Sequence, residues 1–374
     1  MPDRPPRLPS NAATGPDLPP DATGADVWAA LGAAGHLRRA YRGGDVRAGI
    51  DPDGLADVLA AVDARWSIPA TLSVSVPLAT GLPVLATGRS AAVEHCLERV
   101  LSGRATVALA ATDDSAGTDL TALRTQVMIE EDSVTVTGTK EWITNSTTAE
   151  AFLVLARHRP GRHFAHFTWV LVPADAPGVA VKAAPSALYA ASGVGHVSFD
   201  GVRLPRERIV GRVGLGLPVF ARHIAAERMA GVLWGIALCR RVLDDTWRRL
   251  RERAHGEGML ADLGTVRQRL AACLVRLEEL RALADRYAPE VAHQHAPRAA
   301  ALLKAAAGTT VPYILGECAQ LWGAAGFADG GIQEIRAQAA LFGIGGGATE
   351  VVREIVADNT ENLLASLGRK DLPW

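Results

Sequence analysis

Neither sign of charge dominates this sequence. Its 374 residues carry 39 basic and 40 acidic side chains, a net charge of −1, which leaves no electrostatic footprint for nucleic acid or a membrane surface. Cysteine is scarce: Cys96, Cys239, Cys273 and Cys318 are the full set. None stands near enough to another in sequence to make a metal-type pair, and each sits among apolar residues. That predicts reduced core thiols in a cytoplasmic protein. No apolar run reaches the length expected of a membrane span, and no secretory pattern opens the chain. Also missing is a glycine fingerprint set between a strand and a helix, which argues against a dinucleotide-binding βαβ unit. No internal repeat is visible.

What remains is an ordinary globular composition, 48% hydrophobic and 21% charged, long enough for a large core divided into two or three packed units. The first twenty residues hold seven prolines, a density that predicts a disordered tail over residues 1–25. From 26 to 104 apolar residues recur at helical spacing, as in Leu55, Val58, Leu59 and Val62, with Pro and Gly cutting the pattern into short helices. From 105 to 212 the period changes to short β-rich runs. Arg124–Ile129 and Ser133–Thr137 flank an acidic turn and predict a hairpin. Phe152–Ala156, Phe167–Val172, Gly178–Val181 and His196–Phe199 predict further strands. From 213 to 374 helical periodicity returns in four long stretches, the pattern of a four-helix bundle. The expected fold is α+β: an N-terminal α-helical domain, a central β-domain and a C-terminal four-helix bundle.

Two segments carry candidate chemistry. Leu109–Asp119 reads LAATDDSAGTD, a strand end followed by a small-residue turn with hydroxyls at Ser115 and Thr118 and open backbone at Gly117. Such a turn presents N–H and O–H groups to a polar ligand, although the same residues build ordinary turns. Lys140–Asn145 reads KEWITN and follows the hairpin. Taken together, and in this spacing, the two segments resemble the T-E-P-x-A-G-S-D and W-I-T-N motifs of the acyl-CoA dehydrogenase family. Three further segments keep the family's order: Val197–Gly211 (VSFDGVRLPRERIVG), Gln320–Phe327 (QLWGAAGF), similar to Q-x-x-G-G-x-G-F, and Gly345–Arg353 in the place of the Y-E-G-T loop.

The resemblance implies FAD, contacted by residues Leu109, Thr112, Gly117 and Thr118 and by Trp142, Ile143 and Thr144. Thr349 and Glu350 would complete those contacts at a helix start. Arg253, Gln320, Gly323 and Ala324 would reach the cofactor of a neighbouring subunit, implying a homodimer or homotetramer. Thr118, Arg228 and Gly346 would line the substrate, an acyl thioester of CoA or of a carrier protein. Electrons would leave to an electron-transfer flavoprotein or to oxygen. A flavin monooxygenase or a non-catalytic partner subunit on the same fold is the alternative.

Three positions depart from the family pattern. The aromatic after the arginine is Gly256, the His-Gln pair falls on Leu263 and Gly264, and the usual catalytic glutamate is Gly346. Glycine cannot take the α-proton of a thioester. Glu227 offers a replacement. It shares an apolar stripe with Phe220, Ile224, Gly231 and Trp234, and no Lys or Arg stands three or four residues away, so its pKa should be raised. It also falls where some family members carry an alternative catalytic glutamate. Pairing with a basic residue from another helix is the competing reading. His293 and His295 predict a surface pair on opposite helical faces rather than a metal site.

Overall fold

The computed structural model describes residues 18–114, 117 and 119–367. Most of the proline-rich tail lies outside them, but its last residues are held in place. Trp66 donates its indole N–H to the Pro19 carbonyl at 3.2 Å, Ala22 is buried, and Thr23 forms a capping box with Asp26 at the start of the first helix. The ordered chain therefore begins ahead of the expected boundary at Asp26.

Short helices follow, four of them announced by a capping side chain: α1 Gly24–Ala33 behind Thr23, α2 Pro52–Asp63 behind Asp51, α3 Ile68–Val76 behind Ser67 and α5 Ala91–Leu101 behind Ser90, with the uncapped α4 Leu82–Leu85 between the last two. Between α3 and α4 the chain widens into a π-turn, Pro77–Gly81. Pro77 has no N–H to give to the regular ladder. By length and composition alone, Ile68–Leu85 and Pro297–Phe327 would suffice to cross a membrane, which corrects the expectation of no such stretch. Here 89% of the first, and 56% of an 18-residue apolar window of the second, lie inside the folded protein.

Among the described residues eight strands form one sheet: β1 Val107–Ala110, β2 Gln126–Ile129, β3 Ser133–Ile143, β4 Ala151–Arg157, β5 Phe167–Pro173, β6 Val179–Ala183, β7 Gly195–Pro205 and β8 Ile209–Val210. Their order is β6-β7-β3-β2-β4-β5-β8, with β1 parallel to β4. Side chains alternate across it as strand geometry requires. Leu153 and Leu155 face the core shared with the helices, while Phe152 and Val154 face a second core inside the sheet. Phe152 of β4 and Phe199 of β7 lie 6.1 Å apart between ring centroids. In a flat sheet those strands would stand about 14 Å apart, so the sheet curls over its own core.

The helical region has three long helices, α6 Gly216–Glu252, α7 Gly264–Gln294 and α8 Pro297–Trp322. The fourth expected stretch is instead divided into α9 Ile332–Gln338, α10 Leu341–Ile344, α11 Thr349–Ala357 and α12 Thr360–Leu367. Gly345–Gly347 interrupt it between α10 and α11, and α9 to α11 pack back against α8. Each long helix contributes one buried free thiol, Cys239, Cys273 and Cys318, and burial pushes all three up.

One carboxylate joins the N-terminal helices to this region. Asp63, at the end of α2, accepts from the Trp234 indole N–H at 2.9 Å and from Arg241 Nε at 2.8 Å, and its side chain is 1% exposed. Removing one partner of a buried network strands the others. Asp63→Ala should therefore cost about 3 kcal/mol in a urea unfolding titration, whereas Arg248→Ala, which breaks only exposed pairs, should cost at most about 1 kcal/mol. Equal losses for the two variants would refute this.

Candidate active site

The expected site residues fall into three groups. In the first, the end of β1 meets the WITN segment. Glu141 N–H donates to the Thr112 carbonyl at 3.2 Å, and Thr112 Oγ1 donates to the Glu141 carbonyl at 2.9 Å. A register shift between Lys140 and Ile143 turns Trp142 to φ 56°, an unusual conformation for a residue other than glycine. Its indole is left 57% exposed, edge-on to His196 at 5.4 Å. Leu109 and Thr144 are half-buried beside it, Ile143 points into the sheet core, and Gly117 is exposed. Ser115 and Thr118 lie outside the described residues.

Two residues whose roles sequence reasoning missed hold this corner. Lys140 is fully buried and donates from Nζ to the Ala111 carbonyl at 2.9 Å. Burial pushes its pKa down to about 7, against the pull of Asp113. Asn145, at φ 67°, bonds Ser73 of α3 through both amide atoms. In this chain it ties the β-domain to the helices.

The second group closes a cavity of about 50 Å³ between α3, α6, α8 and the loop after α10. Glu227 and Arg228 line it from α6, and Gly346 lines it from the loop. Glu227 is half-buried as a residue, and Thr80 of the π-turn donates to its carboxylate at 2.9 Å. Burial raises its pKa, opposed by the Thr80 hydrogen bond and then by the fields of Arg228 and Lys304. The expectation of a carboxyl remote from cations is thus corrected. Lys304 reaches the cavity from α8, a single cation in the apolar run Ala299–Gly308, and periodicity along α6 could not reveal it. No ion pair forms between Glu227 and a described cation, and the direction predicted for its pKa holds. His223, one turn away, is pushed down to about 4 by burial, so it is neutral at pH 7.

Arg228 Nε donates to the Gly346 carbonyl at 2.9 Å. Gly346 sits at φ +72°, and a Cβ there would meet Arg228 Cγ at 3.3 Å. Both the backbone and the space favour glycine. Thr349 and Glu350 open α11 beside this cavity. Thr349 is buried, with Oγ1 donating to the Gly343 carbonyl at 3.2 Å.

The third group stands apart. Arg253 ends α6 with its guanidinium near Gly323, and Gln320, Gly323 and Ala324 are exposed beside it. From Glu227 to Arg253 the helix runs about 39 Å, so these residues do not reach the cavity of their own chain. His293 and His295 diverge as expected, His293 toward Arg42 and His295 toward His223. No metal-holding cluster occurs among the described residues.

A carboxyl held above its ordinary range binds its proton more tightly folded than unfolded. Compared with Glu227→Gln, the parent should lose stability as pH rises from the ordinary carboxylate range toward the raised value, and the gap should close below that range. Urea unfolding at about pH 4 and about pH 7 measures this; the same difference at both would refute desolvation of Glu227.

The middle-domain model of the acyl-CoA dehydrogenases matches residues 108–202, and their C-terminal-domain model matches residues 214–360. The chain is 26% identical over 282 residues to the acyl-[acyl-carrier-protein] dehydrogenase MbtN of Mycolicibacterium paratuberculosis, covering 72% of this chain and 70% of that one. Its fold is similar to that of the FAD complex of PigA, at 19% identity, TM-score 0.83 and coverage of 91% and 90%. It is equally similar to butyryl-CoA dehydrogenase from Megasphaera elsdenii, at 18% identity, TM-score 0.83 and coverage of 90% of each chain. With two of its domains matched in order over well over half its length, this chain belongs to the acyl-CoA dehydrogenase family.

Proposed function

We propose that this protein is an FAD-dependent oxidoreductase that places an α,β double bond in an acyl thioester of CoA or a carrier protein, with Glu227 as the base. The observation that carries this reading is the shared cavity, in which a desolvated carboxyl on α6 faces the glycine that replaces the family's usual glutamate. Glu227 takes the proton from the α-carbon, and Thr80 fixes the carboxyl that receives it. Bound FAD would supply the acceptor for the β-hydrogen and its electron pair, so the two electrons lost by the acyl chain would pass to the flavin. The relatives named above, one of them an FAD complex, support the cofactor. The residues present suit it: the exposed indole of Trp142 matches a flat aromatic ring system.

The exposed cluster of Arg253, Gln320, Gly323 and Ala324 is assigned to the cofactor of a second subunit, in a homodimer or homotetramer. Its distance from the chain's own cavity supports that assignment. Electron-transfer flavoprotein or oxygen then reoxidises the flavin, in the cytoplasm.

Two outcomes test the reading. Glu227→Gln keeps the shape of the side chain and removes the basic oxygen, so flavin content should hold while anaerobic flavin reduction by acyl thioester falls by about 10²–10⁴-fold. Reduction at the parental rate removes Glu227 as the base. A glutamate added at Gly346 in that background should restore little, because a left-handed backbone and the crowding of Arg228 oppose the side chain. Trp142→Ala should weaken FAD binding by about 2- to 10-fold, the contribution of one aromatic stacking contact, measured from flavin absorbance retained through dialysis. Full retention by the variant would place the flavin elsewhere.

A further inference from the structure

The cavity that holds Glu227 is small and carries more positive than negative charge. Its volume of about 50 Å³ admits roughly three or four waters, or an acyl segment of a few carbons. Trp234 and Phe342 pack on each other in its wall, their ring centroids 4.8 Å apart. Its ionic groups are one carboxyl, Glu227, and two cations, Arg228 and Lys304.

Arg228 is anchored through Nε to the Gly346 carbonyl, and its guanidinium carries further N–H donors at the cavity wall. Lys304 is only 5% exposed, and among the described residues its ammonium makes a single hydrogen bond, to the Phe342 carbonyl. An ammonium has three N–H donors, and a buried cation without a counterion is costly. The negative groups in its field are Glu227, whose own burial favours the neutral form, and Glu350, which is exposed on α11. Burial pushes Lys304 down to about 8, which leaves it mostly protonated at pH 7. Gly346 completes the arrangement. Lys304 Cε lies 3.9 Å from the point its Cβ would occupy, so a side chain there would lie against the lysine.

We propose that this cavity selects a short acyl group ending in a carboxylate, and that Lys304 is the residue that recognises it. The inference rests on the dehydrogenase reading for its thioester. The phosphates of a CoA or carrier thioester lie at the far end of the pantetheine arm, so within the substrate the anion that meets Lys304 belongs to the acyl group. An acyl group bearing an amine would meet repulsion from Lys304 and Arg228.

Calorimetric titration with succinyl-CoA and butyryl-CoA tests the proposal directly. The parent should bind succinyl-CoA about 10- to 100-fold more tightly, the contribution of a charge-assisted hydrogen bond. In Lys304→Met that preference should collapse to within about threefold of unity. Lys304→Gln, which can still donate to the Phe342 carbonyl, should lose it as well, and it serves if the methionine variant does not fold. A parent without the preference overturns the proposal. So does a lysine variant in which both affinities fall together, as loss of a purely structural strut would produce. Flavin bleaching is read separately: a parent that prefers succinyl-CoA but is bleached by neither thioester keeps the recognition site and loses the dehydrogenase assignment.

Discussion

The buried carboxylate of Asp63 is the constraint on which the site depends. It holds the N–H of Trp234 and the guanidinium of Arg241 at once, so α2 is fixed against the middle of α6. Trp234 is also a wall of the cavity and packs on Phe342. The same contact therefore joins two parts of the chain and sets how deep the cavity is. Hydrophobic burial would bring α2 and α6 together in any case. Only directional bonds fix the rotation of α6 that turns Glu227 and Arg228 inward.

Charge inside the cavity follows from the same packing. Removing a carboxyl and an ammonium from water pushes their pKa values toward each other, Glu227 up and Lys304 down. Each remains the other's neighbour without forming an ion pair, which leaves the carboxyl free to take a proton and the ammonium free to meet an anion. A direct salt bridge would have cancelled both properties. Thr80 prevents the rise at Glu227 from going further, because its hydroxyl bonds the carboxylate and so favours the charged form. It stands on the π-turn forced by Pro77, an irregularity of the kind often found where a helix serves a site.

The WITN corner shows how one short motif divides its work. Trp142 is turned outward at a cost in backbone conformation, while Asn145, three residues on, is turned inward to bind Ser73. Both adopt positive φ, and the buried Lys140 braces the adjoining strand end through Ala111. The strain at Trp142 is held in place by the hydrogen bonds on either side.

The helical, β-rich and helical regions were legible in the sequence because hydrophobic period is a local property, and the hairpin and central strands lie close to where alternation puts them. Glu227 was legible too, as a carboxylate on an apolar stripe. Periodicity could not show that the last helical stretch breaks at Gly345–Gly347, since glycine's effect there depends on α11 folding back against α8. Nor could it show Lys304 beside Glu227, which lies 77 positions earlier on another helix. Sequence by itself determined which residues would be buried and at what period. Tertiary structure decided which buried charges meet, because a charge's energy depends on distances across elements that no local pattern records.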